Sequence, residues 1–158
     1  MKTTIREMQK AIGDDNKPIV VLLVEDNPGD VRLTQEAFRE ANKSIRLHVV
    51  TDGVEAMAFL KREAVHVDAP RPDLILLDLN LPKMSGGEVL ASIKQDDGLK
   101  LIPTVILTTS TAEADITKSY ELQANCYLSK PMQLDEFEKL VKTINDFWLT
   151  KAKLPQPI

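Results

Sequence analysis

The chain has one cysteine, Cys126, so it forms no internal disulfide and suits a reducing compartment. No stretch approaches the roughly 18 consecutive apolar residues that a membrane-spanning helix needs. The first residues, Met1 to Glu7, lack the apolar core of a secretory signal. Net charge is -4, so no basic surplus calls for nucleic acid or an anionic membrane. Glycine is sparse, six in 158 residues, and no glycine-rich phosphate loop follows the first apolar run. That argues against a flavodoxin-type cofactor binder. The only histidines, His48 and His66, have no acid-base partner in sequence, which favours surface or strand roles over catalysis. Together these absences predict a cytoplasmic, soluble protein without nucleic-acid or membrane partners.

What is present is an alternation of short apolar runs with helical patterns. Strand-like runs fall at 19–24, 46–50, 73–78, 102–107 and 124–129, and helical patterns at 28–42, 53–63, 86–96, 112–122 and 133–151. Five β-then-α repeats predict a doubly wound parallel sheet with helices on both faces. Asn27 before Pro28, Asp52 before Gly53, and Ser85 before Gly86-Gly87 supply helix starts. Residues 64–72 read as a Pro-rich surface loop. The division is an arm over 1–17, one domain over 18–151 and a tail over 152–158. Ile5, Met8 and Ile12 recur at helical spacing in the arm. The tail leaves no room for an output domain, so an isolated signalling or catalytic unit is expected.

Charges and hydroxyls sit where buried strands end. The run Asp73-Leu74-Ile75-Leu76-Leu77 delivers Asp78 to a loop, and the run Ile19 to Val24 delivers Glu25 and Asp26. Thr108 and Lys130 end two further runs. In open parallel sheets, ligands and chemistry gather outside the carboxyl ends of the strands. Paired carboxylates on neighbouring loops suit Mg2+, a hard cation that takes oxygen ligands. Asp26 and Asp78 are expected as direct ligands, with Glu25 bound or acting through water. Asp78 can serve as a nucleophile that forms an acyl phosphate, with Lys130 as a point charge and Thr108 as a hydroxyl donor to phosphate oxygens.

Glu25-Asp26, Asp78, Thr108 and Lys130-Pro131, in that order and in those strand contexts, resemble the response-regulator receiver domains of two-component systems. The resemblance implies a flavodoxin-like sheet of strand order 2-1-3-4-5 and phosphorylation of Asp78 by a histidine kinase within a phosphorelay. It also implies Mg2+ held by Glu25, Asp26, Asp78 and the backbone carbonyl of Asn80, and a Lys130-Pro131 peptide that is often cis. Thr108 and Tyr127 would act as the switch pair, Thr108 moving toward the phosphoryl group and Tyr127 turning inward behind it. No enzymatic turnover of other substrates is implied beyond self-dephosphorylation. Four features depart from the pattern or tune it. The stretch between Asp26 and Asp78 is long, with residues 62–72 absorbing the excess. Thr109 stands where a smaller residue is common, and Asn80 and Ser110 occupy positions that tune phosphoryl lifetime.

A narrower similarity, to the small receivers paired with bacterial phytochromes, rests on Glu25 to Thr34, Leu77 to Lys83, Asn125 to Lys130 and Phe147-Trp148-Leu149. It implies a phytochrome-type kinase as phosphodonor and a homodimer. On the last helix, Leu134, Phe137, Val141, Ile144 and Trp148 form one apolar stripe expected to pack on the sheet. Leu140 and Phe147 widen it, which favours a dimer through this helix and the adjacent strand. A haloacid-dehalogenase-like phosphohydrolase shares the aspartyl chemistry, but Asn80 stands where that class needs a second acid. Cys126, inside an apolar strand, reads as an inert small hydrophobe.

Overall fold

The computed structural model describes residues 18–156. The helical spacing of Ile5, Met8 and Ile12 lies outside these residues, as does the end of the tail. Five parallel strands, β1 (Ile19–Val24), β2 (Ile45–Val50), β3 (Leu74–Leu77), β4 (Thr104–Thr108) and β5 (Cys126–Ser129), form one sheet in the order β2-β1-β3-β4-β5. The helices are α1 (Pro28–Ala41), α2 (Gly53–Lys61), α3 (Gly86–Gln95), α4 (Glu113–Glu121) and α5 (Leu134–Trp148). The expected alternation, parallel sheet and strand order are all present.

Side-chain alternation along the strands divides the core in two. Leu22, Val24, Ile75, Leu77 and Ile106 point to one face, where Phe59 of α2 and Val89, Leu90 and Ile93 of α3 cover them. Val21, Leu23, Leu74, Leu76 and Val105 point to the other, under Phe38 of α1 and Phe137, Val141 and Ile144 of α5. All four residues of β3 have no exposed surface, which explains its uninterrupted apolar sequence. Burying each such side chain stabilises the fold by about 1.5–3 kcal/mol before conformational entropy is counted.

Element ends follow local chemistry. Asn27 Oδ1 accepts from Asp30 N, Asp52 Oδ1 from Glu55 N, and Ser85 and Glu88 form a reciprocal capping box. Helix α2 stops at Lys61 because Arg62 is left-handed, with φ 56°. Strand β4 starts at Thr104, two residues later than expected, since Pro103 has no N–H for the ladder. Within the Pro-rich connection, Ala64–His66 makes one turn of 3-10 helix.

Two expectations need correction. Leu134 does not join the buried stripe of α5: it is 53% exposed, and packing begins one turn later at Phe137. Its place on the inner surface is taken further along by Asn145 and Leu149, with Trp148 half-buried. Asn145 Oδ1 accepts from Asn42 Nδ2 at 3.3 Å, which satisfies a buried amide and ties α5 to the end of α1. The Lys130-Pro131 peptide is trans, as are all others among the described residues; trans is the lower-energy form of an X-Pro bond by about 0.5–1 kcal/mol.

Candidate phosphoryl-acceptor site

The four strand ends singled out above converge on one carboxyl edge of the sheet. Asp78 follows β3 and is 6% exposed; its N–H donates to Val24 O at 3.1 Å, which locks the loop to the end of β1. Its carboxylate is held from both sides. Oδ1 accepts from Thr108 Oγ1 at 2.8 Å and from Asn80 N at 3.1 Å, and Oδ2 accepts from Lys130 Nζ at 2.9 Å. Burial opposes its charge, but these donors outweigh burial and hold the Asp78 carboxyl below the usual aspartate range.

Lys130 reaches this point from the residue after β5, and its N–H donates to Thr108 O at 2.7 Å. Its ammonium also donates to Glu25 Oε2 and, at 3.1 Å, to Asp30 Oδ2. Burial works against the ammonium, yet the hydrogen bonds to Glu25 and Asp78 prevail and raise its pKa, so Lys130 is a permanent cation. Glu25 is 2% exposed, and its Oε1 accepts from Asn27 N at 3.0 Å. Burial pushes its pKa up to about 7 despite Lys130, because one ammonium is shared among three carboxylates.

Asp26 is exposed at the mouth of the site. Carboxylate oxygens of Glu25, Asp26 and Asp78 lie within 4.8 Å of one another, an all-oxygen donor set on two adjacent loops. That set fits a hard divalent cation, which prefers carboxylate oxygen. Thr108 is fully buried at the end of β4. Tyr127 is half-buried in β5, and its hydroxyl donates to Ser110 O at 3.0 Å, on the loop that follows Thr108. Ser129 Oγ donates to the same carbonyl at 3.3 Å. The Tyr127 hydroxyl is thus fastened to the loop beside Thr108.

All the predicted side chains except Tyr127 meet in one cluster, and Tyr127 flanks it through Ser110. Asp30 was missed. It sits in the first turn of α1, where an acid is unremarkable because it suits the helix dipole. Asp26, four residues earlier, lies before the helix, so no helical spacing pairs the two in sequence. His48 and His66 are remote: each packs tilted against the ring of Phe59, with centroids 5.5 and 5.3 Å away. Cys126 is half-buried, and burial pushes its thiol up, as expected of an unreactive side chain.

Residues 21–142 match the family model for the response regulator receiver domain. The chain is 50% identical over 142 residues to response regulator Rcp1 of Synechocystis sp., spanning 90% of this chain and 97% of that protein. The Mn(2+)-bound crystal structure of Rcp1 superposes with a TM-score of 0.84, covering 88% of this chain and 100% of that one. A phosphorylated cyanobacterial phytochrome response regulator, RcpA, is similar at 50% identity with a TM-score of 0.86, covering 88% of this chain and 99% of that one. No helix among the described residues is long and apolar enough to cross a membrane.

Proposed function

The chain belongs to the response-regulator receiver family, and from that footing we propose that it accepts a phosphoryl group on Asp78 from a histidine kinase of the phytochrome type. The observation that carries this reading is the Asp78 carboxylate, buried at a strand end with Lys130, Thr108 and Asn80 N on its oxygens. One Asp78 oxygen attacks the phosphorus of a phosphohistidine. The P–O bond forms as the P–N bond breaks, and the imidazole nitrogen keeps the electron pair. Lys130 and Thr108 then have a phosphoryl oxygen to donate to, in place of the bare carboxylate. Water later cleaves the acyl phosphate, returning the carboxylate and inorganic phosphate, and no other substrate is turned over.

Glu25, Asp26, Asp78 and the backbone carbonyl of Asn80 would hold Mg2+, for which the oxygen-only donor set argues. When bound, the ion supplies positive charge where phosphoryl charge builds up. In its absence the three carboxylates on Lys130, with Asp26 beside them, carry more negative charge than one ammonium offsets. Thr108 and Tyr127 form the switch. The hydroxyl of Thr108 leaves the carboxylate for the phosphoryl group, and the Tyr127-to-Ser110 tie shifts with the loop between them. The two states differ in population by as much as the phosphoryl group interacts differently with each.

The output is a surface in the cytoplasm. We assign a homodimer to α5 and strand β5, where Phe147 is 51% exposed on a helix that buries Phe137 and half-buries Trp148. Incubation with acetyl phosphate and Mg2+, read by intact mass, should add one phosphoryl group to the wild type and none to Asp78→Asn. Undiminished labelling of Asp78→Asn would overturn the site. A phytochrome kinase that transfers no faster than unrelated kinases would overturn the choice of donor.

A further inference from the structure

Among the described residues, strand β2 is an edge of the sheet with no strand beyond it. Its register to β1 fixes which backbone groups are spent: Ser44 O accepts from Ile19 N and Val50 O from Glu25 N, so the carbonyls of the even residues face β1. By alternation, Leu47 and Val49 turn their N–H and C=O groups outward, away from any strand. Two recesses flank this free ladder. One, of about 310 Å³, lies between β2 and α1 with Phe38, Ile45 and Leu47 as its apolar walls and Arg39 and Lys43 at its rim. The other, of about 630 Å³, follows the strand past Lys43, Arg46 and His48. Among the described residues, no carboxylate lines either recess. Arg39, Lys43 and Arg46 are exposed, and none has an acidic partner within ion-pair distance among the described residues. In a chain of net charge -4, three unpaired cations around one edge stand out.

We propose that the β2 edge docks an extended acidic segment of a partner protein as a sixth strand. The outward ladder of Leu47 and Val49 supplies backbone hydrogen bonds, and the half-buried Ile45 and Leu47 receive alternate apolar side chains; Arg46, on the opposite face of the strand, selects the acidic ones between them, while Arg39 and Lys43 at the rim attract the segment's negative charge as a whole. A second copy of this chain is disfavoured as occupant, since pairing two β2 edges sets these cations against each other. A nucleic acid satisfies the cations but has no peptide ladder to match the strand. The site lies at the far edge of the sheet from β5, so it is independent of the phosphoryl-acceptor reading.

The test uses a fluorescein-labelled peptide of about eight residues alternating Glu and Val, followed by anisotropy with the full chain. Binding should weaken at least tenfold with a Lys-Val peptide, with a Glu-Val peptide N-methylated on alternate residues, and with Arg39→Glu/Lys43→Glu/Arg46→Glu. It should also weaken as salt rises. A cooperative urea transition at the wild-type midpoint, followed by far-UV circular dichroism, reports that the charge-reversed chain is folded. Equal binding of the N-methylated peptide, or equally tight binding of oligothymidylate, overturns the strand-docking assignment. So does an absence of Glu-Val binding together with self-association of Arg39→Ser/Lys43→Ser/Arg46→Ser, in which case the cations only keep edges apart. A chain lacking residues 1–17 that binds the peptide more than tenfold tighter overturns the partner as occupant and gives the edge to the chain's own arm.

Discussion

Gly86 opens α3 directly against the backbone of the Asp78 loop: a Cβ placed on it would lie 2.1 Å from Asp78 O and 2.6 Å from Leu79 Cα. Its N–H donates to Leu79 O at 3.0 Å, so the helix start and the Asp78 loop form one rigid unit. Both contacts are with backbone, which cannot swing aside as a side chain can. Gly86→Ala should therefore push the Asp78 loop out of register with Lys130 and Thr108. Acyl-phosphate formation should slow at least tenfold, and the fold should lose about 1–3 kcal/mol as for other overpacked sites. Labelling kinetics at the wild-type rate would show that the loop yields without cost. Gly87, whose added Cβ meets nothing closer than Ser85 Oγ at 3.9 Å, is the matched control.

Lys130 holds three carboxylates, two of them buried. Lys130→Met removes the one cation and leaves Glu25 and Asp78 without a charged partner. Breaking a buried pair in this way costs about 3–5 kcal/mol. In EDTA at neutral pH the variant should unfold at markedly lower urea than the wild type. Mg2+ should recover part of the difference, since the carboxylates gain a counter-charge. Equal urea midpoints in EDTA would mean that the acids discharge by taking up protons.

Much of this site is legible in the sequence for a simple reason. Strands buried on both faces have no periodicity to hide in, so a charge at the end of Leu74–Leu77 or Ile19–Val24 stands out. Asp30 escaped because an acid in a first helical turn has an ordinary explanation, and only the fold brings it to Lys130. The Gly86 contact is invisible in sequence, where Ser85-Gly86-Gly87 reads as a helix start and nothing distinguishes the first glycine from the second. Leu134 was misplaced because helical spacing gives the direction of a side chain but not where along the helix its packing partner begins. The contact of His66 with Phe59 depends on the long connection folding back over α2, which no local pattern encodes.

Glu25 gives the metal-free protein a pH dependence of defined sign. Its carboxyl has an ordinary value of 4.5 and is raised to about 7 by burial in the folded chain. The folded state therefore binds a proton more tightly than the unfolded state does. The resulting stabilisation is complete below 4.5 and is lost as pH rises toward 7. The loss is at most about 3 kcal/mol by the linkage of 1.36 kcal/mol per unit. Urea unfolding in EDTA between pH 5 and 8 should show a decline in the wild type that is flatter in Glu25→Gln. Parallel profiles for the two proteins would assign the proton elsewhere.

Phe147 and Trp148 pack edge to face on α5, ring centroids 5.4 Å apart at 83°, yet they meet different surroundings. Trp148 is half-buried against the α1 side of the core, whereas Phe147 is 51% exposed. A large aromatic left in water on a helix whose inner face is already filled by Phe137, Val141 and Ile144 contributes little to the single chain. Phe147→Ala should change the unfolding midpoint of the monomeric form by less than about 1 kcal/mol, the loss of one exposed aromatic pair. If α5 and β5 form the homodimer, the same change should weaken it at least tenfold, because aromatic anchors dominate such interfaces. Sedimentation velocity over a hundredfold range of concentration, with and without acetyl phosphate and Mg2+, separates the two roles. A monomer at every wild-type concentration in both conditions would remove the dimer and leave Phe147 as an isolated surface aromatic.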